Sequence, residues 1–118
     1  MKPRIKAIYI TVKDMDRAVK FYEDIFDIEV SSKDKRRSSF EFENISFLLF
    51  DSNITGEKVS IGNNVVPNIE VEGINKMLEF VKNKGYKTVM PMEKIGQYLI
   101  FQIKDTEGNI IEFYQVES

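Results

Sequence analysis

The sequence predicts an α+β protein built from two copies of a β-α-β-β-β unit, and three observations carry that reading. A strand-like alternation followed by an amphipathic helix occurs twice. The two occurrences superpose at one constant offset, with Ala7 on Val66, Val12 on Val71, Val19 on Leu78, Phe21 on Phe80 and Val30 on Val89. The length of 118 residues suits one domain with its own core. The expected organisation is a single domain over 1–118, with repeats at about 4–51 and 64–117 joined by a linker at 52–63.

Taken in order, Ile5 to Val12 alternates, with Ile8, Ile10 and Val12 on one side and Ala7, Tyr9 and Thr11 on the other. Asp14 is an N-cap for a helix whose apolar residues Met15, Ala18, Val19, Tyr22, Ile25 and Phe26 recur at helical spacing. Three strands are expected next, at Asp27–Ser32, Ser38–Glu43 and Ile45–Phe50. The charged stretch Lys33 to Arg37 between the first two reads as a solvated hairpin tip. Asp51 to Asn64, rich in Asn, Ser and Gly, reads as a linker.

The pattern then restarts. Val65 to Val71 is strand-like, and Ile74, Met77, Leu78 and Val81 form the apolar face of a second helix that stops at Gly85. Tyr86–Met90, Gln97–Lys104 and Asn109–Val116 supply three further strands. Pro91 to Gly96 reads as a flexible insertion or lid, and Asp105 as a turn residue. Each helix should pack on the outer face of its sheet, leaving a curved inner face that forms a ligand cavity. The alternation puts Ile8, Ile10, Val12, Ile111 and Phe113 toward the helices. It puts Ala7, Tyr9, Ile110, Glu112 and Tyr114 toward the inside.

Composition removes several function classes. A net charge of −2 gives no footprint for nucleic acid or an anionic membrane surface. No segment has the apolar length of a membrane span, and the N-terminus lacks the pattern of a signal peptide, so a cytoplasmic location is expected. There is no cysteine and no histidine. Disulfides, thiol catalysis and a histidine-based triad are therefore absent. A lone carboxylate such as Glu112 lacks the nitrogen or sulfur companions of a zinc or iron site.

Two stretches, Val12-Lys13-Asp14-Met15-Asp16-Arg17-Ala18-Val19-Lys20-Phe21-Tyr22 and Asp105-Thr106-Glu107-Gly108-Asn109-Ile110-Ile111-Glu112-Phe113, carry a family resemblance. Together with the duplication they make the chain resemble the vicinal oxygen chelate superfamily of glyoxalase I, bleomycin-resistance proteins and extradiol dioxygenases. The resemblance implies duplicated βαβββ modules around a cavity. In metal-using members one ligand lies on the first strand and one on the last strand of each half. Those positions match Ala7, Phe47, Val66 and Glu112 here, and Glu112 alone keeps a ligand type. The resemblance therefore argues against the metal-dependent reactions. It points instead to the metal-less branch similar to bleomycin-resistance proteins, which bind a bulky, partly cationic molecule, commonly as homodimers.

The expected function is metal-independent binding of an aromatic or cationic small organic molecule, with no cofactor and no metal, by a homodimer. The candidate ligand-binding residues are Tyr9, Phe47, Asn68, Tyr98, Glu112 and Tyr114, because aromatic faces and a carboxylate attract flat or cationic ligands. Core packing competes as a reading for the tyrosines. Glu112 is either a ligand anchor or an inherited carboxylate with a local partner, since an inward charge is costly unless something satisfies it. Asn68 and Gln102 read as inward polar groups. Two rivals stand beside this reading. One is a metal-independent lyase- or isomerase-like enzyme in which Glu112 moves a proton. The other is a non-catalytic interaction subunit whose pocket has filled.

Overall fold

Alternation and helical spacing decide most of the elements seen in the computed structural model, which describes residues 1–56, 58–62 and 64–117. The chain divides into two units, residues 1–61 and 62–118. The first contains β1 (Ala7–Val12), α1 (Met15–Phe26), β2 (Ser32–Lys33), β3 (Arg37–Glu41), β4 (Ser46–Asp51) and the short α2 (Ser52–Thr55). The second contains β5 (Asn68–Glu70), α3 (Ile74–Asn83), β6 (Thr88–Ile95), β7 (Tyr98–Lys104) and β8 (Ile110–Val116). Each holds a four-stranded mixed sheet, in the orders β1-β4-β3-β2 and β5-β8-β7-β6. In both, the first strand runs parallel to the last and the remaining pairs are antiparallel. The fold is α+β, as the periodicities predict.

In the first unit Asp14 caps α1, its carboxylate accepting the Arg17 backbone N–H at 3.0 Å. The helix buries Met15, Ala18, Val19, Phe21, Tyr22 and Ile25. Tyr22 and Phe26 meet Phe40 and Phe47 of the sheet with ring centroids 5.1 to 6.5 Å apart in edge contacts. Phe47, expected on the inner face, is instead part of this core at 4% exposure. The physical reason is register. Ile8 pairs with Phe47 and Tyr9 with Leu48, so Phe47 shares the helix side with Ile8 and Ile10.

Two other expectations in this unit shift. Asp27–Ser32 does not form a strand. Asp27 takes a left-handed conformation (φ 54°), and the Val30 N–H donates to Glu23 Oε2 at 2.9 Å. Sheet bonding therefore starts only at Ser31, whose N–H reaches Ser39 O at 2.8 Å, and β2 shrinks to two residues. The stretch read as a linker begins with a helical turn, since Asp51 accepts the N–H groups of Asn53 and Ile54. Glu57 and Asn63 of that linker lie outside the described residues.

The charged tip behaves as a built turn. Asp34 Oδ1 accepts the backbone N–H groups of Arg36 and Arg37, each at 2.8 Å. These bonds hold the Asp34 carboxyl below its usual range, that of Arg37 contributing most. Lys33 Nζ sits 2.6 Å from Asp16 Oδ1, tying the tip to the start of α1. Asp16 is likewise lowered, by the Lys33 hydrogen bond first and its charge second.

In the second unit α3 begins at a glycine that offers no side-chain cap. Gln115 of β8 substitutes, its Oε1 accepting the Ile74 N–H at 2.9 Å. At the far end Gly85 (φ 77°) follows the last helical turn. Its N–H reaches Lys82 O, and that of Tyr86 reaches Val81 O, which is a Schellman closure. Ile74 and Val81 pack over Phe101, Ile103, Ile111 and Phe113, all fully buried. The Asp105 turn places Oδ1 2.8 Å from the N–H groups of both Glu107 and Asn109.

The stretch Pro91–Gly96, read as a flexible insertion or lid, is strand through Ile95 instead. β6 continues to Ile95 and returns through a two-residue turn with Gly96 at φ 60°. Proline is tolerated because β6 is the sheet edge, where a missing N–H breaks no ladder bond. The register shift between Met90 and Glu93 takes up the irregularity.

Two predictions follow from this packing. Phe47→Ala should lower unfolding free energy by about 3–5 kcal/mol in denaturant titration, whereas Tyr9→Ala, at a position 55% exposed, should cost well under that. In an NMR titration both Asp16 and Asp34 should ionise below the ordinary aspartate value of about 3.9. Because folding depresses both values, their contribution to stability is present above the unfolded value and is lost as pH falls through the folded one. High salt should return Asp16 toward the ordinary value by screening Lys33, while Asp34, held by backbone N–H groups, stays low.

Candidate functional site

The pleat of the second sheet sorts β7 and β8 into two faces. Phe101, Ile103, Ile111 and Phe113 point to α3, and the intervening residues form the opposite face. On that face the antiparallel register sets Tyr98 beside Val116, Ile100 beside Tyr114 and Gln102 beside Glu112. The parallel pairing of β5 adds Asn68 on the other side of Glu112. A pocket of about 450 Å³ lies in the first unit beside α1 and the β2–β3 tip, lined mainly by charged side chains. A second, of about 420 Å³, lies on this open face and is lined by Asn68, Ile95, Tyr98, Ile100, Glu112, Tyr114 and Val116.

Among the described residues, Glu112 is the one charged side chain lining the second pocket. It is partly buried, and Gln102 Nε2 donates to its Oε1 at 2.8 Å. A neutral amide supplies a hydrogen bond but no compensating charge. Among the described ion pairs, none includes Glu112. Tyr98 and Tyr114 meet edge-on with centroids 6.0 Å apart. Tyr98 is about half exposed at 49%. Ile95, Ile100 and Val116 complete an apolar wall. Chemically this is a shallow aromatic and aliphatic site with one carboxylate and one amide, suited to a cation or a flat ring rather than to an anion.

Of the six residues expected at a binding site, Asn68, Tyr98, Glu112 and Tyr114 come together here. Tyr9 does not join them in one unit. It lies on the face of the first sheet opposite α1, its ring 4.7 Å from that of Phe50. Phe47 lies in the core. Leu48 stands opposite Tyr9 as Glu112 stands opposite Asn68, so Leu48 is the true first-unit counterpart of Glu112. Ile100 and Val116 were available to the sequence reading, since each is two residues from an assigned member on an alternating strand. Ile95 has no such signal, because the proline at 91 and the glycine at 96 read as an insertion rather than as the edge strand they belong to.

The positions that match metal ligands in the wider superfamily do not fit a metal here. Ala7, Leu48 and Val66 end in hydrocarbon, and only Glu112 carries a donor oxygen. Among the described residues no three His, Cys, Asp or Glu side chains group as a metal site. No described helix is long and apolar enough to cross a membrane.

Comparisons with known proteins agree with this fold. No curated protein matches the chain in sequence. Solved structures do match in shape. A glyoxalase-related enzyme from Fulvimarina pelagi superposes with TM-score 0.78 at 13% identity, over 95% of this chain and 87% of its own. Lactoylglutathione lyase from Agrobacterium tumefaciens gives 0.75 at 18%, over 97% and 94%. A glyoxalase/bleomycin resistance protein/dioxygenase from Nocardioides gives 0.77 at 18%, over 100% and 86%. At such identities the likeness establishes the fold alone. The family model named Glyoxalase/Bleomycin resistance protein/Dioxygenase superfamily matches residues 4–113, nearly the whole chain, and the protein therefore belongs to that superfamily.

Proposed function

We propose that the protein binds a small organic molecule carrying a positive charge or a flat ring, without a metal, on the open face of the β5-β8-β7-β6 sheet. The observation that carries this reading is the Glu112 carboxylate, paired among the described residues only with the neutral amide of Gln102, in a pocket otherwise lined by Asn68 and by aromatic and aliphatic side chains. A carboxylate without a cationic partner favours a cation brought by a ligand, and the faces of Tyr98 and Tyr114 add to that attraction. The hydrocarbon side chains at three of the four matched ligand positions support independence from metal.

The same reading makes the protein a sequestering or sensing module of the cytoplasm that acts as a homodimer, as the resemblance to bleomycin-resistance proteins suggests. Exposed aromatic and aliphatic residues on the sheets outside the pocket, Tyr9 and Val89 among them, give a second copy apolar surface to cover.

The test is a thermal-shift and calorimetric screen of aromatic amines, aromatic acids and neutral aromatics. Aromatic cations should raise the melting temperature, because a ligand of the native state stabilises by mass action. Glu112→Gln should weaken cation binding by about tenfold or more, the scale of one charge-assisted bond, with little change in the melting temperature of the free protein. Tyr98→Ala should weaken it by a smaller factor, about three- to tenfold. Equal binding of acids and amines, or indifference to Glu112→Gln, sinks the reading. Turnover of a bound compound that Glu112→Gln abolishes would instead assign an enzyme with Glu112 as its base. Stoichiometric metal in the purified protein would overturn metal independence.

A further inference from the structure

Glu112 occupies the middle of a cross-strand row, with Asn68 on β5 to one side and Gln102 on β7 to the other. Neighbouring strands lie about 4.8 Å apart, so the middle side chain of such a row is within reach of both its neighbours. Only one of the two amides is used. Gln102 Nε2 donates to Glu112 Oε1 at 2.8 Å, while no described hydrogen bond involves the Asn68 side chain, which is exposed at the pocket. Because an ionised carboxylate only accepts, Gln102 must turn its NH₂ toward it.

This arrangement has a consequence for what the pocket accepts. A glutamate has free rotamers, and fixing one oxygen to a neighbouring strand removes most of them. The other oxygen, Oε2, accepts no described hydrogen bond and is left free to meet a ligand. The unpaired Asn68 amide beside it offers a neutral carbonyl oxygen as a second acceptor. Two acceptors on neighbouring strands of one face reward a cation that donates two N–H bonds. A cation with no N–H gains only the charge and the aromatic faces.

We infer that Gln102 is a positioning residue that holds Glu112 by one oxygen, so that Oε2 and Asn68 together select a protonated primary amine on an apolar body over a quaternary ammonium. This rests on the reading of the pocket as a cation site. Gln102 touches no ligand in this scheme, and its effect passes through Glu112.

The experiment compares benzylammonium with benzyltrimethylammonium by NMR titration or calorimetry at neutral pH and fixed salt. The proteins are the wild type, Gln102→Met and Gln102→Asn. Methionine keeps the length and loses the donor. Asparagine keeps a polar amide in the sheet but is one methylene too short, so a variant that tolerates the site poorly has a second to replace it. The wild type should prefer benzylammonium by about tenfold, one charge-assisted hydrogen bond's worth. Both variants should bring the two probes to within about twofold, with the quaternary probe's affinity nearly unchanged. A merely structural Gln102 would weaken both probes together and leave their ratio intact, and that result overturns the inference, as does a wild type with no preference. If neither probe binds the wild type, the cation reading of the pocket fails and this inference falls with it. Binding of both probes with an unchanged ratio in the variants removes only the role of Gln102.

Discussion

A single helix laid on one face of a four-stranded sheet is the constraint from which the rest of each unit descends. Once α1 or α3 covers a face, the period of two along every strand leaves no choice about which side chains are buried. In the second unit this sends Phe101, Ile103, Ile111 and Phe113 beneath Ile74 and Val81, all without solvent exposure. Glu112, flanked by Ile111 and Phe113, is thereby held on the opposite face. A slip of one residue would drive its carboxylate into the core at a cost of several kcal/mol. The burial of phenylalanines and the presentation of the carboxylate are one event.

The connections protect that register by satisfying backbone groups. Asp14 and Asp51 cap helices with their own carboxylates, while α3 relies on Gln115 of β8 because Gly73 has no side chain to offer. Gln115 thus couples the start of the helix to the strand that bears Glu112. The Asp105 turn performs a similar service at the other end of β8, where its carboxylate collects two N–H groups just before the strand begins. These bonds secure both ends of β8, the strand that carries Glu112.

Membership of the Glyoxalase/Bleomycin resistance protein/Dioxygenase superfamily fixes the scaffold and not the chemistry, since one fold carries unrelated activities. In this chain the positions that match metal ligands hold alanine, leucine and valine beside one glutamate. What distinguishes the second sheet is therefore a carboxylate between two amides within a wall of tyrosine and aliphatic side chains. Under the proposed reading, such a surface discriminates by charge sign and by the number of hydrogen bonds a cation can donate.

The sequence by itself determined the α+β class, the caps at Asp14 and Gly85, and the side of the sheet on which Asn68, Tyr98, Glu112 and Tyr114 lie. These follow from local periodicity and local backbone chemistry, which the chain carries in its order of residues. Tertiary structure alone decided three things. It placed Phe47 in the core, because the register of β4 against β1 is a non-local pairing that a strand rich in Phe and Leu on both faces does not announce. It made a strand of Pro91–Ile95, because a proline is acceptable only once that strand is known to be the edge. And it paired Gln102 with Glu112, because a contact between strands depends on a register fixed by the turn and the core together, and not by either residue's neighbours in the chain.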